Sequence, residues 1–126
     1  MKKFDHILLI DDSDIDNYIN REVLEDAGIC AQITVQVGAR QAIDYLKSLT
    51  GAFPNVIFLD IRMPMMDGFD FLEEFEHLPA AQTIDCDVFM LSSSINPADL
   101  ARARSFARVK DYLNKPLNNH QLEAIF

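Results

Sequence analysis

Four short apolar runs in this chain each stop on a polar residue. His6-Ile7-Leu8-Leu9-Ile10 runs into Asp11 and Asp12, and Val56-Ile57-Phe58-Leu59 into Asp60. Val88-Phe89-Met90-Leu91 runs into Ser92, and Tyr112-Leu113-Asn114 into Lys115 and Pro116. Runs of this length, bounded by polar residues, read as strands. If they lie parallel and end on one edge, three carboxylates, a hydroxyl and an ammonium meet there. Three carboxylates repel one another unless a cation sits among them. Mg2+ is a hard cation that takes one or two carboxylates, keeps several waters and accepts a phosphate. The pattern therefore points to a phosphoryl-transfer site.

The stretches between the runs carry helical signals. Ser13 is an N-cap, with Asp14 and Asp16 in a first turn where acids suit the helix dipole. Ile15, Ile19, Val23 and Ala27 recur at helical spacing beside Tyr18 and Leu24, and predict the apolar face of a helix that stops at Gly28. Ile33, Val35 and Val37 alternate as a half-buried strand does. Residues 39–49 form a second helix with Ala42, Ile43, Leu46 and Leu49 on one face. Met63-Pro64-Met65-Met66-Asp67-Gly68 reads as a loop. Phe69, Leu72 and Phe75 define a third helix ending near Pro79. Asn96-Pro97 opens a fourth, carrying Leu100, Ala103, Phe106 and Ala107. Residues 109–114 make a fifth strand and 117–126 a last short helix. Five strand-then-helix repeats predict an α/β fold, a parallel sheet covered on both faces and linked by right-handed crossovers. Ligands in such sheets bind at the carboxyl ends of the strands.

The 126 residues suit a single domain, and 49% apolar composition excludes disorder. No apolar run is long enough to span a bilayer and no signal peptide is visible, so a cytoplasmic location is expected. Cys30 and Cys86 lack metal-ligand spacing and are expected to be reduced, buried thiols. His6, His77 and His120 are scattered, and offer no histidine metal site. The net charge of −9 argues against nucleic acid as a direct ligand. Against that acidic background Arg102, Arg104, Arg108 and Lys110 crowd one segment.

Taken together and in order, four motifs resemble the receiver domain of two-component response regulators, stand-alone chemotaxis receivers among them. They are Asp11-Asp12, the stretch Asp60-Ile61-Arg62-Met63-Pro64-Met65-Met66-Asp67-Gly68, Ser92-Ser93, and Tyr112-Leu113-Asn114-Lys115-Pro116. The likeness runs from first strand to last helix. It implies a flavodoxin-like five-stranded sheet of order 2-1-3-4-5, in a single domain with no output domain. It implies that Asp60 accepts a phosphoryl group from a sensor histidine kinase or a histidine phosphotransfer protein. Mg2+ would sit directly on Asp12, Asp60 and the backbone carbonyl of Arg62, with Asp11 acting largely through water. Lys115 and Ser92 would contact the phosphoryl oxygens, Ser93 would help cradle them, and Ser92 with Tyr112 would carry the switch. A cis bond between Lys115 and Pro116 is implied too. The downstream partner is expected on the fourth helix, fifth strand and fifth helix, where the basic residues crowd. Beyond its own phosphotransfer and dephosphorylation the chain would not be an enzyme.

Two departures and two alternatives stand beside this reading. Arg108 occupies a place where the family commonly has glycine, so the exit from the fourth helix is expected to differ. Ser92-Ser93 replaces the commoner Thr-Ala pair. A degenerate receiver serving only as an interaction module is one alternative, although such proteins usually lack an acid or the lysine. An aspartyl-phosphate hydrolase of the haloacid-dehalogenase type is another, but those need a second acid where this chain has Arg62.

Overall fold

The computed structural model describes residues 3–93 and 96–126. Its elements run β1 (Phe4–Ile10), α1 (Asp14–Ala27), β2 (Cys30–Gln36), α2 (Ala39–Ser48), β3 (Val56–Asp60), α3 (Gly68–Phe75), α4 (Ala80–Thr83), β4 (Asp87–Ser92), α5 (Pro97–Arg104), β5 (Val109–Asn114) and α6 (Asn119–Ile125). The five strands are all parallel, in the order β2-β1-β3-β4-β5. The strand-helix alternation therefore closes as expected, with one extra helical turn. That turn, α4, follows Pro79, whose carbonyl accepts from Gln82 and Thr83. Four residues are too few to show a periodicity in sequence.

Strand pleating splits the core in two. Ile7, Leu9, Phe58, Phe89 and Leu91 face Leu24 of α1 and Leu122 of α6. Leu8, Ile10, Ile57, Leu59 and Met90 face Ile43, Leu46, Phe71, Phe75 and Ala103 on the other side. All five residues of β3 are buried, so Asp60 is carried on the most enclosed strand of the sheet. Each fully buried large side chain contributes roughly 1.5–3 kcal/mol of transfer free energy, which anchors the strand against the repulsion at its end. Cys30 and Cys86 are buried free thiols, and burial pushes Cys86 up to about 12, which keeps it unreactive. Among the described residues no helix is long and apolar enough to cross a membrane.

Several expectations about the helices are corrected. Ile15 is 72% exposed and Tyr18 67% exposed, and the residues that α1 buries are Asn17, Asn20 and Leu24. The helix is rotated because both asparagines make hydrogen bonds to the turns that follow β1 and β5, described below. Val37 lies past the end of β2 and is exposed. Helix α5 stops at Arg104, with the N–H groups of Ser105 and Phe106 bonded back to Arg102 and Ala103, so Phe106 and Ala107 lie in turns. Arg108 has no left-handed backbone, which explains how a residue with a Cβ stands where glycine is common. Lys110 is the extra residue of a bulge, since Val88 pairs with Val109 but Phe89 pairs with Asp111.

Met65 is the one described non-glycine residue with positive φ, at 69°, and its side chain lies wholly in solvent. A left-handed conformation costs an L-residue about 1–2 kcal/mol. Nothing is buried here to offset it. Met65→Gly is therefore expected to stabilise the fold by about 1 kcal/mol. Urea unfolding checks this, and an unchanged or lower midpoint would show that the turn carries no strain.

Candidate functional site

The carboxyl ends of β1, β3, β4 and β5 converge on one edge of the sheet. At the end of β1, the Asp11 N–H donates to the Gln36 carbonyl (3.1 Å), continuing the β1–β2 ladder by one residue. The Asp11 side chain is buried and its Oδ1 accepts the Ser13 N–H at 2.9 Å. Asn17 Nδ2 donates to the Asp11 carbonyl at 2.8 Å, so the buried face of α1 props the acidic turn from below. Asp12 points outward and is exposed. Asp60, the last residue of β3, is 5% exposed. Carboxylate oxygens of Asp11, Asp12 and Asp60 all lie within 4.8 Å of one another.

Lys115 enters this cluster from the end of β5. Its N–H donates to the Ser92 carbonyl (2.9 Å), which ties the ends of β4 and β5 together. The Lys115–Pro116 peptide bond is cis. The Leu117 N–H donates to Asn20 Oδ1 at 3.0 Å, across 97 residues of sequence. The two buried asparagines of α1 therefore hold the acidic turn and the lysine loop against one helix. Their i, i+3 spacing was the signal in the sequence, hidden because polar residues read as the solvent face.

The Lys115 ammonium lies 2.6 Å from Asp11 Oδ2, 2.9 Å from Asp16 Oδ2 and 3.1 Å from Asp60 Oδ1. The contact to the buried Asp11 Oδ2 is the shortest of the three, so Asp11 meets the ammonium as a close ion pair. Burial works against the charged form of Lys115, but its contacts with Asp11 and Asp16 outweigh that and raise its pKa. Burial, then the charge of Asp11, push the Asp60 carboxyl up to about 6, with Lys115 pulling the other way. One cation is thus too little for the cluster. The donor set suits Mg2+: three hard carboxylates with oxygens within 4.8 Å of one another, two of them sharing a single lysine.

The remaining residues frame the cluster. Ser92 is buried at the end of β4 and Ser93 beside it is exposed. The Arg62 side chain turns away and pairs with Asp99 of α5 at 2.6 Å, a link across the site that the sequence did not signal. Gly68 opens α3 rather than lying in a loop, and its N–H donates to the Ile61 carbonyl at 2.9 Å. A Cβ there would meet the Asp60 carbonyl oxygen at 2.7 Å. The Tyr112 ring sits inside the core beneath α5, next to Ala103.

An acidic triad with a facing lysine on a 2-1-3-4-5 sheet is matched at the level of the whole chain. Residues 7–126 fit the response regulator receiver domain family. The chain belongs to that family. Among curated relatives of this receiver, the probable methanogenesis regulatory protein FilR2 of Methanothrix harundinacea is 30% identical over 120 residues, covering 93% of this chain and 76% of that protein. The transcriptional regulatory protein HptR of Staphylococcus aureus is 34% identical over 87 residues, covering 69% of this chain but 32% of its own length. A two component response regulator from Cytophaga hutchinsonii superposes with a TM-score of 0.91 at 32% identity, over 98% of this chain and 94% of that one. The receiver is thus a signalling module of two-component systems rather than a conventional enzyme.

Proposed function

We propose that this receiver is a phosphorylation-dependent switch that takes a phosphoryl group onto Asp60 from a phosphohistidine of a sensor kinase or phosphotransfer protein. The observation that carries the reading is Asp60 itself: a buried carboxylate at a strand end, within 4.8 Å of two further carboxylates and 3.1 Å from a lysine. An Asp60 oxygen attacks phosphorus, the bond from phosphorus to the histidine nitrogen breaks, and the imidazole leaves. Asp11, Asp12 and Asp60, with the Arg62 carbonyl, would hold Mg2+. When bound, that ion supplies positive charge to the phosphoryl oxygens. Lys115 would add a point charge of its own. The Ser92 hydroxyl, at the end of the neighbouring strand, donates to another phosphoryl oxygen, with the backbone at Ser93 completing the cradle.

Signal would leave through the Ser92–Tyr112 side of the site. Tyr112 already lies beneath α5, so the Ser92 contact acts by shifting how α5 packs over that ring rather than by drawing in an exposed one. For the incoming partner, α1 offers an apolar surface beside the site, with Ile15, Tyr18 and Ile19 all exposed. For the outgoing partner, the face of α5, β5 and α6 keeps its basic residues, but most are engaged within the chain. Arg102 stacks over Phe69 and reaches Glu73, Lys110 reaches Asp87, and Arg108 donates to the Ile84 carbonyl. Arg104 lines the small cavity beside Tyr112 and is the best placed to meet a partner. The alternatives are weaker. A degenerate module would lack part of the charge set assembled here, and a dehalogenase-type hydrolase would need an acid where Arg62 turns away to Asp99.

Incubation with acetyl phosphate and Mg2+ is expected to add one phosphoryl group per chain by intact mass, mapped to Asp60. Excess EDTA should prevent the addition. Labelling elsewhere, full labelling in EDTA, or none in Mg2+ would each overturn the assignment.

A further inference from the structure

We propose that Asp16 is a positioning residue that fixes the Lys115 ammonium over Asp60. The proposal rests on the reading above. Sequence alone gives Asp16 a different task. The spacing Ser13-x-x-Asp16 is that of a capping box, in which the acid at the third helical position turns back to the N–H of the cap residue. Two other helices here close that box fully: Asp67 with Asp70 on α3, and Asn118 with Gln121 on α6. Helix α1 makes only half of it. Ser13 Oγ accepts the Asp16 N–H, but the Ser13 N–H donates to Asp11 Oδ1 instead. The Asp16 carboxylate is thereby released from its local partner. It accepts a hydrogen bond from Lys115 Nζ at 2.9 Å, across 99 residues.

The same ammonium also lies within ion-pair distance of Asp11 and Asp60. A lysine is a point charge on a flexible stem with three N–H donors. Asp16 takes one donor and sets the direction of the other two, toward Asp11 and toward Asp60. Its carboxylate stands outside the acidic triad, at the rim, with 36% side-chain exposure. It can keep its bond when the triad is occupied and Asp60 carries a phosphoryl group. The lysine then meets the arriving charge already aimed, without ordering its side chain during transfer, which is how preorganised groups lower a barrier.

An acid in a first turn also stabilises its helix through the dipole, and the test must separate that role. Asp16→Asn keeps the shape and removes the charge. Its phosphorylation by acetyl phosphate with Mg2+, timed by intact mass, is expected to slow about fivefold, the size of a partly exposed ion pair expressed as a rate. In a Lys115→Met background the same substitution is expected to change nothing. An undiminished rate in Asp16→Asn, or an equal slowing in both backgrounds, overturns the proposal. Where Lys115→Met is too slow to time, the same four proteins are compared by urea unfolding. Additive effects there overturn it, and a coupling between the sites supports it. Failure of the wild type to label at Asp60 would instead count against the function proposed above.

Discussion

Asp60→Asn is expected to yield a receiver that is more stable without metal and takes up no phosphoryl group. Both effects follow from one carboxylate placed where charge is costly. Burial, and then Asp11, disfavour its ionised form, and Lys115 compensates only in part. The amide has nearly the same shape and no charge, so the repulsion with Asp11 and Asp12 disappears. The gain is on the order of 1–2 kcal/mol after allowing for water that still reaches the group. The sign in pH is fixed by the same shift. An unfolded Asp60 titrates near 3.8 and the folded one near 6, so between those values the folded state holds more protons. Without metal, this residue's contribution to stability is greatest below about 3.8 and is lost as pH rises through about 6. Denaturation at pH 5 and pH 7.5 should show that trend in wild type and lose this component in Asp60→Asn. Adding Mg2+ should stabilise wild type at pH 7.5 by mass action, and should stabilise the variant far less. A variant less stable than wild type, or one that still becomes labelled, would remove Asp60 from the role given to it.

Gly68→Ala is expected to damage stability and phosphorylation together, although Gly68 touches no phosphoryl group. It is the first residue of α3, where alanine would normally help a helix. Here a Cβ would lie 2.7 Å from the Asp60 carbonyl oxygen and 3.0 Å from Ile61 Cα. Both atoms are backbone, so no flexible side chain can move aside. Either α3 retreats or the end of β3 is pushed back, and α3 is held by buried Phe69, Phe71, Leu72 and Phe75. Overpacking of this kind costs about 1–3 kcal/mol. Displacing the end of β3 also moves Asp60 relative to Lys115, and a shift near 1 Å can lower a rate by about a hundredfold. The expected result is a lower urea midpoint and acetyl phosphate labelling slowed by about tenfold or more. A folded variant with wild-type labelling would mean that the helix, not the strand, yields.

Much of this receiver can be read along the chain because its fold repeats a local pattern. Short apolar runs and one alternating stretch specify strands, intervening helical spacings specify the crossovers, and five repeats leave few topologies. The polar residues that end the runs, Asp11, Asp12, Asp60, Ser92 and Lys115, then fall on one edge because parallel strands all end on the same side. Those conclusions need only neighbours in sequence.

What tertiary structure decided concerns groups whose partners lie far away. The rotation of α1 is one case: spacing made Ile15 and Tyr18 core residues, but Asn17 donating to the Asp11 carbonyl and Asn20 accepting from the Leu117 N–H turn them outward. The role of Gly68 is another, since only the approach of α3 to β3 shows that no Cβ fits. Asp16 is a third. Local chemistry offers it a capping partner three residues back, and the fold supplies a lysine 99 residues on that it prefers. Asn20 and Asp16 find partners across the fold rather than along the chain, and Gly68 is fixed by backbone it meets only when α3 packs on β3; periodicity carries no information about either.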